Sequence, residues 1–379
     1  MEVLSSVFKD IIKEAVVLSK TSDKIATVIN EQNVYQIGET KILPFIDKMI
    51  DALILPGSGI NGMEHLRALL DKAKAGASCL LLLEHYSNMD MPVFSYLLRK
   101  EPGGVEAANA VVAIAGMKLN EENPTVAVFT GAYTRLVIYP SRSLHHLPPE
   151  EASAETARYS AINHAAMRKL NEIKKQGKLI LVFPSGTRYR PWDPSTKKGV
   201  REIDSYIKSF DYMCLIAING ELLHVRQGDM LDDLVSRNIV RFTVDPIVSC
   251  AEFRASARAK AENAGIEDKK QAVVDAIMAR LDEIHRKVET EAVTDGLKAT
   301  AIIAMSQDNS PMSQDNAPMS QDNDPMSQDN DPKYHHDPPY RLNGVRQGII
   351  AKVVADEPEV VTKVLRCAFD ASLMNISKE

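Results

Sequence analysis

The stretch Cys79-Leu-Leu-Leu-Leu-Glu-His-Tyr-Ser-Asn-Met-Asp90 decides both the fold class and the candidate chemistry of this chain. Its first five residues, Cys79–Leu83, form a short apolar run, which is typical of a buried strand. The run leads into His85 and Asp90, an imidazole and a carboxylate five positions apart. A histidine oriented by a carboxylate is a common form of general base. We therefore expect a candidate base at the end of a buried strand.

Five more apolar runs alternate with longer amphipathic segments further along the chain. They are Ala110–Ala115, Arg135–Tyr139, Lys178–Phe183, Cys214–Ile218 and Val240–Val244. Between the second and third of these, residues 156–173 repeat apolar side chains at helical spacing, and Gly177 marks the end of that helix. Strands that alternate with helices predict an α/β fold with a mixed, largely parallel sheet flanked by helices.

The remaining segments complete an organisation in four parts. Apolar residues at helical spacing predict a small helical-bundle domain at residues 1–75, followed by the α/β domain at 76–292. From Met305 to Pro332 the unit Met-Ser-Gln-Asp-Asn-x-Pro occurs four times. Such polar, proline-containing units bury too little surface to fold, so we predict a disordered linker at 293–340. Residues 341–379 are expected to form a C-terminal helical segment, with its helix at Pro358–Leu373.

The composition narrows the class of protein. A net charge of −6 argues against a general nucleic-acid binder. Apolar stretches stay far below the ~20 residues that span a bilayer, and the N-terminus does not resemble a secretory signal. Cys79, Cys214 and Cys250 lie in or beside apolar runs without metal-ligand spacing, which indicates buried free thiols in a reducing compartment. We therefore expect a cytoplasmic protein.

A second block, Phe183-Pro-Ser-Gly-Thr-Arg-Tyr-Arg-Pro191, follows the strand predicted at Lys178–Phe183. Gly186 allows a tight backbone turn, and Thr187 can form a hydrogen bond across it. Arg188 and Arg190 point the same way if the segment is extended, so that both guanidinium groups can meet one phosphate. Arg142, which follows the strand at Arg135–Tyr139, could complete this cationic cluster.

Two other motifs compete with these blocks. His224-Val-Arg-Gln-Gly-Asp229 repeats the His–Asp spacing, but it lies downstream of the arginine block, and we interpret His224 as a loop histidine. Gly57-Ser-Gly-Ile-Asn-Gly62 fits the G-x-G-x-x-G pattern of dinucleotide-binding proteins, with Glu84 about twenty residues on. However, residues 49–55 continue a helical pattern, and Pro56 ends it. We therefore interpret these glycines as a connection between the helical region and the sheet.

The two blocks, in this order, resemble the H-x4-D and F-P-E-G-T-R-type blocks of the glycerolipid acyltransferase family, over about residues 1–290. Ser185 occupies the place of the usual Glu. Together with Arg188-x-Arg190-Pro191, it makes the chain most similar to the soluble, plastid-type glycerol-3-phosphate acyltransferases, whose block is similar to P-S-G-G-R-x-R-P. Those proteins also have a small helical domain before an α/β catalytic domain.

The resemblance implies a role for each residue of the predicted site. His85 and Asp90 would be catalytic, with His85 as the general base. The phosphate of glycerol 3-phosphate would be held by Arg142, Arg188 and Arg190, and the substrate pocket would include Ser185, Gly186 and Thr187. The position after Arg142 is Ser143, where the subgroup usually has a His.

The implied reaction is acyl transfer to the sn-1 hydroxyl of glycerol 3-phosphate, with no cofactor and no metal. The donor would be an acyl-carrier protein or acyl-CoA, received by Lys197, Lys198 and Arg201. Peripheral contact with a membrane is a further expectation. The alternatives are a lysophosphatidate acyltransferase, a nucleotide-binding oxidoreductase that uses Gly57–Gly62, and a non-catalytic lipid-binding protein.

Overall fold

The computed structural model describes residues 1–22, 26, 28–121, 123–140 and 149–308, with side chains except at 149–154 and 290–308. The chain divides into two compact units, Met1–Arg286 and Lys287–Glu379. Arg142, the linker after Asp308 and the predicted C-terminal helix at Pro358–Leu373 lie outside the described residues. The predictions for these parts therefore remain predictions.

The strands are β1 (Glu2–Val3), β2 (Tyr35–Gln36), β3 (Gly59–Asn61), β4 (Cys79–Leu83), β5 (Val111–Gly116), β6 (Arg135–Ile138), β7 (Leu179–Val182), β8 (Tyr212–Asn219), β9 (Leu223–His224), β10 (Leu234–Val235), β11 (Arg241–Val244) and β12 (Val248–Ser249). The helices are α1 (Leu4–Val7), α2 (Lys9–Ser19), α3 (Leu43–Leu53), α4 (Met63–Lys74), α5 (Asp90–Lys100), α6 (Gly104–Ala110), α7 (Lys118–Glu121), α8 (Pro124–Thr130), α9 (Pro149–Ile173), α10 (Ile203–Ser209), α11 (Cys250–Asn263) and α12 (Lys269–Asp308).

The main sheet has the strand order β2-β6-β5-β7-β4-β8-β11-β3, with β12 paired to β8. In the middle of this sheet, the neighbouring strands β6, β5, β7, β4 and β8 all run parallel to one another. The antiparallel pairs are β2 with β6, β11 with β8 and β12 with β8, whereas β3 is parallel to β11. A smaller antiparallel sheet has the order β1-β10-β9. The expected mixed, largely parallel α/β sheet is confirmed.

Strand β4 lies between two hydrophobic cores, which explains why all five of its residues are apolar. Leu81 and Leu83 belong to one core, together with apolar residues of α3, α4 and α5. Leu80 and Leu82 belong to the other, together with residues of α9, α11 and α12. Because alternate side chains of a strand point to opposite faces, a strand covered by helices on both sides needs a continuous apolar run.

The N-terminal region is mainly helical, as expected, but residue 75 does not bound a compact unit. The apolar side chains of α2, α3 and α4 pack into the same core as β4, and the first unit continues to Arg286. From Ala251 to Glu291 the sequence is rich in alanine and charged residues, a pattern typical of a helix. The structure divides this segment into α11 and α12 at Gly265, which adopts a left-handed φ of 69°. Helix α12 also extends to Asp308, so that residues 293–308 are helical rather than part of the linker.

Cys79, Cys214 and Cys250 are free and buried, as predicted. Burial raises the pKa of each thiol to about 12, so that at neutral pH these cysteines are protonated and behave as apolar side chains. Among the described residues, no helix is both long and apolar enough to cross a membrane.

Candidate active site

His85 and Asp90 form a hydrogen-bonded pair just beyond the carboxyl end of β4. The Nδ1 atom of His85 lies 2.9 Å from Oδ2 of Asp90. Because a carboxylate only accepts hydrogen bonds, Nδ1 carries the proton and Nε2 is left as the basic nitrogen. The side chain of His85 is 15% exposed, against 5% for that of Asp90. The pair therefore has a buried orienting acid and an imidazole that solvent and substrate can reach.

Asp90 is held in place by the loop that connects β4 to α5. Its Oδ2 accepts hydrogen bonds from the backbone N–H groups of Tyr86 (2.6 Å) and Ser87 (2.9 Å), and its Oδ1 accepts from the Ser87 hydroxyl (2.9 Å). Asp90 is the first residue of α5, and its carboxylate turns back into the loop instead of capping the helix. A carboxylate at a helix N-terminus is also favoured by the helix dipole. Asp90 is thus positioned to hold the imidazole of His85.

The two sequence blocks meet because β4 and β7 are adjacent parallel strands, so that their carboxyl ends share one edge of the sheet. The N–H of Tyr189 donates to the carbonyl oxygen of His85 at 2.8 Å. The imidazole of His85 stacks on the ring of Phe183, with ring centroids 3.9 Å apart. Contacts of this kind place the arginine block directly beside the candidate base.

The turn that begins the arginine block depends on its glycine. Gly186 has a φ of 64°, and a Cβ atom there would lie 3.2 Å from Val200. A side chain at this position would therefore be both strained and crowded. Ser185 is buried, and its hydroxyl donates to the carbonyl oxygen of Thr187 at 2.7 Å. Ser185 thus stabilises the turn, and its hydroxyl is already engaged.

Arg188 and Arg190 differ in their partners. The Nη1 of Arg188 lies 2.9 Å from Oδ2 of Asp233, whose side chain is only 1% exposed. Burial raises the pKa of Asp233, although the N–H of Arg226 and the guanidinium of Arg188 act in the opposite direction. Among the described residues, Arg190 has no ion pair, and its backbone N–H donates to the Thr196 hydroxyl at 2.8 Å. Arg190 therefore contributes a positive charge that is not compensated by a described carboxylate.

Two other basic side chains near the arginine block, Lys197 and Arg201, form ion pairs with carboxylates. Lys197 pairs with Asp282 at 3.3 Å, and Arg201 pairs with Asp268 at 2.8 Å. These pairs are at the surface, where ion pairs contribute little and exchange readily. The role of Lys197, Lys198 and Arg201 in donor binding stays a prediction.

The competing histidine motif does not form an acid–base pair with its own aspartate. His224 lies in β9, with Nδ1 3.0 Å from Oε1 of Glu221 and Nε2 2.7 Å from the hydroxyl of Ser236. Asp229 instead accepts from the N–H of Leu231 at the start of a 3-10 helix. The His–Asp spacing at 224–229 is therefore coincidental.

The glycine motif at Gly57–Gly62 lacks the geometry of a dinucleotide-binding turn. A helix, α3, precedes it where that turn requires a strand, and Gly59–Asn61 is itself the edge strand β3. At Gly62, with a φ of 77°, a Cβ atom would lie 2.3 Å from the Val244 carbonyl oxygen. The glycines serve close backbone packing at the sheet edge, so the structure gives the oxidoreductase alternative no support.

Part of the chain matches a known family model. Residues 60–228 match the family model for acyltransferases. This region contains both the His85–Asp90 block and the Phe183–Pro191 block. Among solved structures, the chain is similar to the 1-acyl-sn-glycerophosphate (LPA) acyltransferase from Thermotoga maritima, with 16% sequence identity and a TM-score of 0.36. That alignment covers 74% of this chain and 94% of the other. No curated protein matches the chain.

Three residues around the candidate site, Glu84, Asp233 and His285, were not predicted from the sequence to support it. The sequence analysis considered Glu84 only as the acidic residue that follows the glycine motif. In the structure, its buried carboxylate forms hydrogen bonds with Tyr86 and His285 beside the candidate base. A charged residue that directly follows a buried apolar run was the available signal. Asp233 and His285 had no comparable signal, because their partners are 45 and 201 positions away in the sequence.

Proposed function

We propose that the chain is a glycerol-3-phosphate 1-O-acyltransferase. It would move a fatty acyl group from an acyl thioester to the sn-1 hydroxyl of glycerol 3-phosphate, the first step of phospholipid synthesis. The observation that carries the proposal is the 2.9 Å contact between His85 Nδ1 and Asp90 Oδ2, which leaves Nε2 free to accept a proton next to a cationic block. The acyltransferase family match over residues 60–228 supports the same class of reaction.

In the proposed mechanism, Nε2 of His85 removes the proton from the acceptor hydroxyl as its oxygen attacks the thioester carbonyl. A C–O bond forms, the C–S bond breaks, and the imidazolium returns the proton to the leaving thiolate. Asp90 stabilises the imidazolium and fixes its orientation, as the acid of a catalytic triad does. A base positioned in this way contributes about 10²–10⁴ in rate. No acyl-enzyme is expected.

Substrate binding would depend on the arginine block. Arg190 would form the primary contact with the phosphate, since Asp233 compensates part of the charge of Arg188. Arg188 and Arg142 would complete the phosphate site. An acyl-carrier protein is acidic and acyl-CoA carries phosphates, so either donor would suit Lys197, Lys198 and Arg201. We also propose a cytoplasmic protein that touches the membrane peripherally.

The test is transfer of an acyl group to radiolabelled glycerol 3-phosphate, from acyl-carrier protein and from CoA thioesters, with His85→Ala as control. Product that disappears in His85→Ala would support both the acceptor and the base. Acylation of lysophosphatidate, but not of glycerol 3-phosphate, would move the chain to the lysophosphatidate alternative. Failure of both acceptors with both donors would contradict the proposal.

A further inference from the structure

The residues on either side of His85 are joined to a third residue, from a distant helix. Oε2 of Glu84 lies 3.0 Å from Nδ1 of His285, and Oε1 of Glu84 accepts a hydrogen bond from the Tyr86 hydroxyl at 3.0 Å. The Tyr86 hydroxyl also lies 3.3 Å from Nδ1 of His285. His285 belongs to α12 and lies beyond the residues that match the acyltransferase family model.

We propose that Glu84, Tyr86 and His285 form a clamp that fixes the backbone of His85, with His285 as a positioning residue for the proposed acyl transfer. This inference rests on the proposed function. We call these three side chains the clamp.

The geometry of the chain explains how the clamp acts on His85. Glu84 and Tyr86 flank His85, and both side chains bond to each other and to His285. The imidazole of His85 stacks instead on Phe183 and bonds Asp90. The clamp therefore holds the chain immediately before and after His85, while the ring remains available to its own partners.

The clamp is anchored in the sheet as well as in the helix. Oε2 of Glu84 also accepts from the backbone N–H of Ile218 in β8, at 2.8 Å. The Asn219 side chain donates to the carbonyl oxygen of His285 at 3.0 Å, which fastens α12 to the end of the same strand. Movement of His85 along the strand axis would thus break bonds to two separate elements.

The clamp is also linked to the dyad and to the arginine block. The backbone N–H of Tyr86 donates to Oδ2 of Asp90, the oxygen that contacts His85. The ring of Tyr86 meets that of Tyr189 edge to face at 6.3 Å, and the N–H of Tyr189 donates to the carbonyl oxygen of His85. Tyr86 is therefore the point at which helix α12, the acid and the arginine block are connected.

Because the clamp residues are largely buried, the loss of one hydrogen-bond partner cannot easily be replaced by water. Glu84 is 5% exposed, and the side chain of His285 is 18% exposed. Burial, reinforced by the Glu84 carboxylate, raises the pKa of Tyr86 far above its ordinary value, so its hydroxyl stays protonated and remains a donor. A buried carboxylate that loses a donor is costly, and the loop would shift to find another partner. A displacement of about 1 Å at a catalytic group can lower the rate by about 10²-fold.

The experiment compares His285→Leu, His285→Gln and Tyr86→Phe with the control His224→Gln. His224 is a suitable control because it also bonds a glutamate and a hydroxyl, but in β9. We expect His285→Leu to lower kcat by about 10–100-fold with little change in KM. His285→Gln, whose amide can still donate to Glu84, should recover much of that loss. Tyr86→Phe removes a single hydroxyl, and it provides the same test with a smaller risk to folding.

A second readout does not depend on activity. In protein labelled with ¹⁵N-histidine, the Nδ1–H signal of His85, assigned by its loss in His85→Ala, reports the bond to Asp90. We expect this signal to broaden or shift in His285→Leu and Tyr86→Phe, and to stay unchanged in His224→Gln. If the wild-type protein is inactive with every donor and acceptor, the proposed function is contradicted. If His285→Leu and Tyr86→Phe nevertheless change the signal of His85, the clamp is still supported. An unchanged signal, or kcat values equal to those of the control, would overturn the clamp.

Discussion

Asp90→Asn separates the charge of Asp90 from its shape. In the wild type, Oδ2 accepts three hydrogen bonds, from His85 Nδ1 and from the N–H groups of Tyr86 and Ser87, and Oδ1 accepts one from the Ser87 hydroxyl. An asparagine with its oxygen at the Oδ2 position can keep the first three. Its NH₂ group can donate to the Ser87 hydroxyl, which can rotate to accept. The loop is therefore expected to keep its structure while the negative charge is lost.

The expected loss of activity follows from the role of that charge. Without it, the imidazolium that forms during proton transfer is no longer stabilised, and if the amide turns its NH₂ group toward His85, Nε2 becomes protonated and cannot act as a base. We expect kcat/KM to fall by about 10²–10⁴, which corresponds to about 3–5 kcal/mol in the activation free energy. The KM for glycerol 3-phosphate should change little, because Asp90 is not expected to contact the phosphate.

The assay is steady-state acyl transfer to radiolabelled glycerol 3-phosphate, with Ser87→Ala as a matched control. That control removes the hydrogen bond from the Ser87 hydroxyl to Oδ1, and the one that this hydroxyl accepts from the N–H of Met89, but leaves the carboxylate and its contact with His85. We expect it to keep at least a tenth of the wild-type rate, since its one hydrogen bond to Asp90 contributes about 1 kcal/mol. If folded Asp90→Asn keeps a rate within about fivefold of wild type, the acid–base interpretation is wrong.

Three further predictions concern charge elsewhere in the fold. Arg190→Lys keeps the positive charge but loses the planar guanidinium group that can donate two hydrogen bonds to one phosphate. We therefore expect the KM for glycerol 3-phosphate to rise about tenfold with kcat nearly unchanged. A roughly tenfold loss in kcat instead would refute a phosphate contact in the ground state. Arg135 is 2% exposed, with Nε and Nη2 unpartnered among the described residues, so Arg135→Met should raise the free energy of unfolding by about 1–4 kcal/mol in urea denaturation. Burial lowers the pKa of Arg135 to about 10 in the folded state, so this gain should be complete below pH 10 and shrink above it as the wild type deprotonates. Hydrogen bonds from the N–H and hydroxyl of Ser78 lower the pKa of Asp211, so its contribution to stability is present above its ordinary pKa and is lost as the pH falls through the folded-state value. Asp211→Asn should therefore cost less than about 1 kcal/mol near neutral pH, because the group is exposed, and nothing in strong acid, as measured by denaturation over a pH series.

The long strands could be predicted from the sequence because their surroundings require one kind of side chain. Strands β4, β5, β7 and β8 contribute side chains to both hydrophobic cores, so each consists mainly of a continuous apolar run. The predicted bounds of β4 to β8 agree with the observed ones within about two residues. The two-residue strands, such as β2 and β12, were missed because no periodicity can be read from two residues. The break between α11 and α12 was missed although Gly265 offered a signal, because the apolar and charged pattern continues on either side of it.

For the candidate site, the sequence could place the dyad and the arginine block but not their supports. Residues five apart in one loop, and loops that follow adjacent parallel strands, are brought together by the topology alone. By contrast, the pairing of Arg188 with Asp233 depends on the course of the chain after β9, and that of Glu84 with His285 on a helix about two hundred residues away. Tertiary contacts of this kind leave no local pattern, and Arg142 lies outside the described residues.

The supports change the interpretation of the arginine block. From the sequence, Arg188 and Arg190 were equivalent phosphate ligands on one face of an extended segment. In the structure, Asp233 is buried and accepts hydrogen bonds from the N–H of Arg226 and from the guanidinium group of Arg188. This contact fixes the side chain of Arg188 and compensates part of its positive charge. Arg190, by contrast, forms no ion pair with a carboxylate among the described residues. In the proposed phosphate site, binding strength should therefore depend mainly on Arg190, and orientation of the phosphate mainly on Arg188. Both remain beside the His85 loop, since the N–H of the intervening Tyr189 is bonded to the carbonyl oxygen of His85.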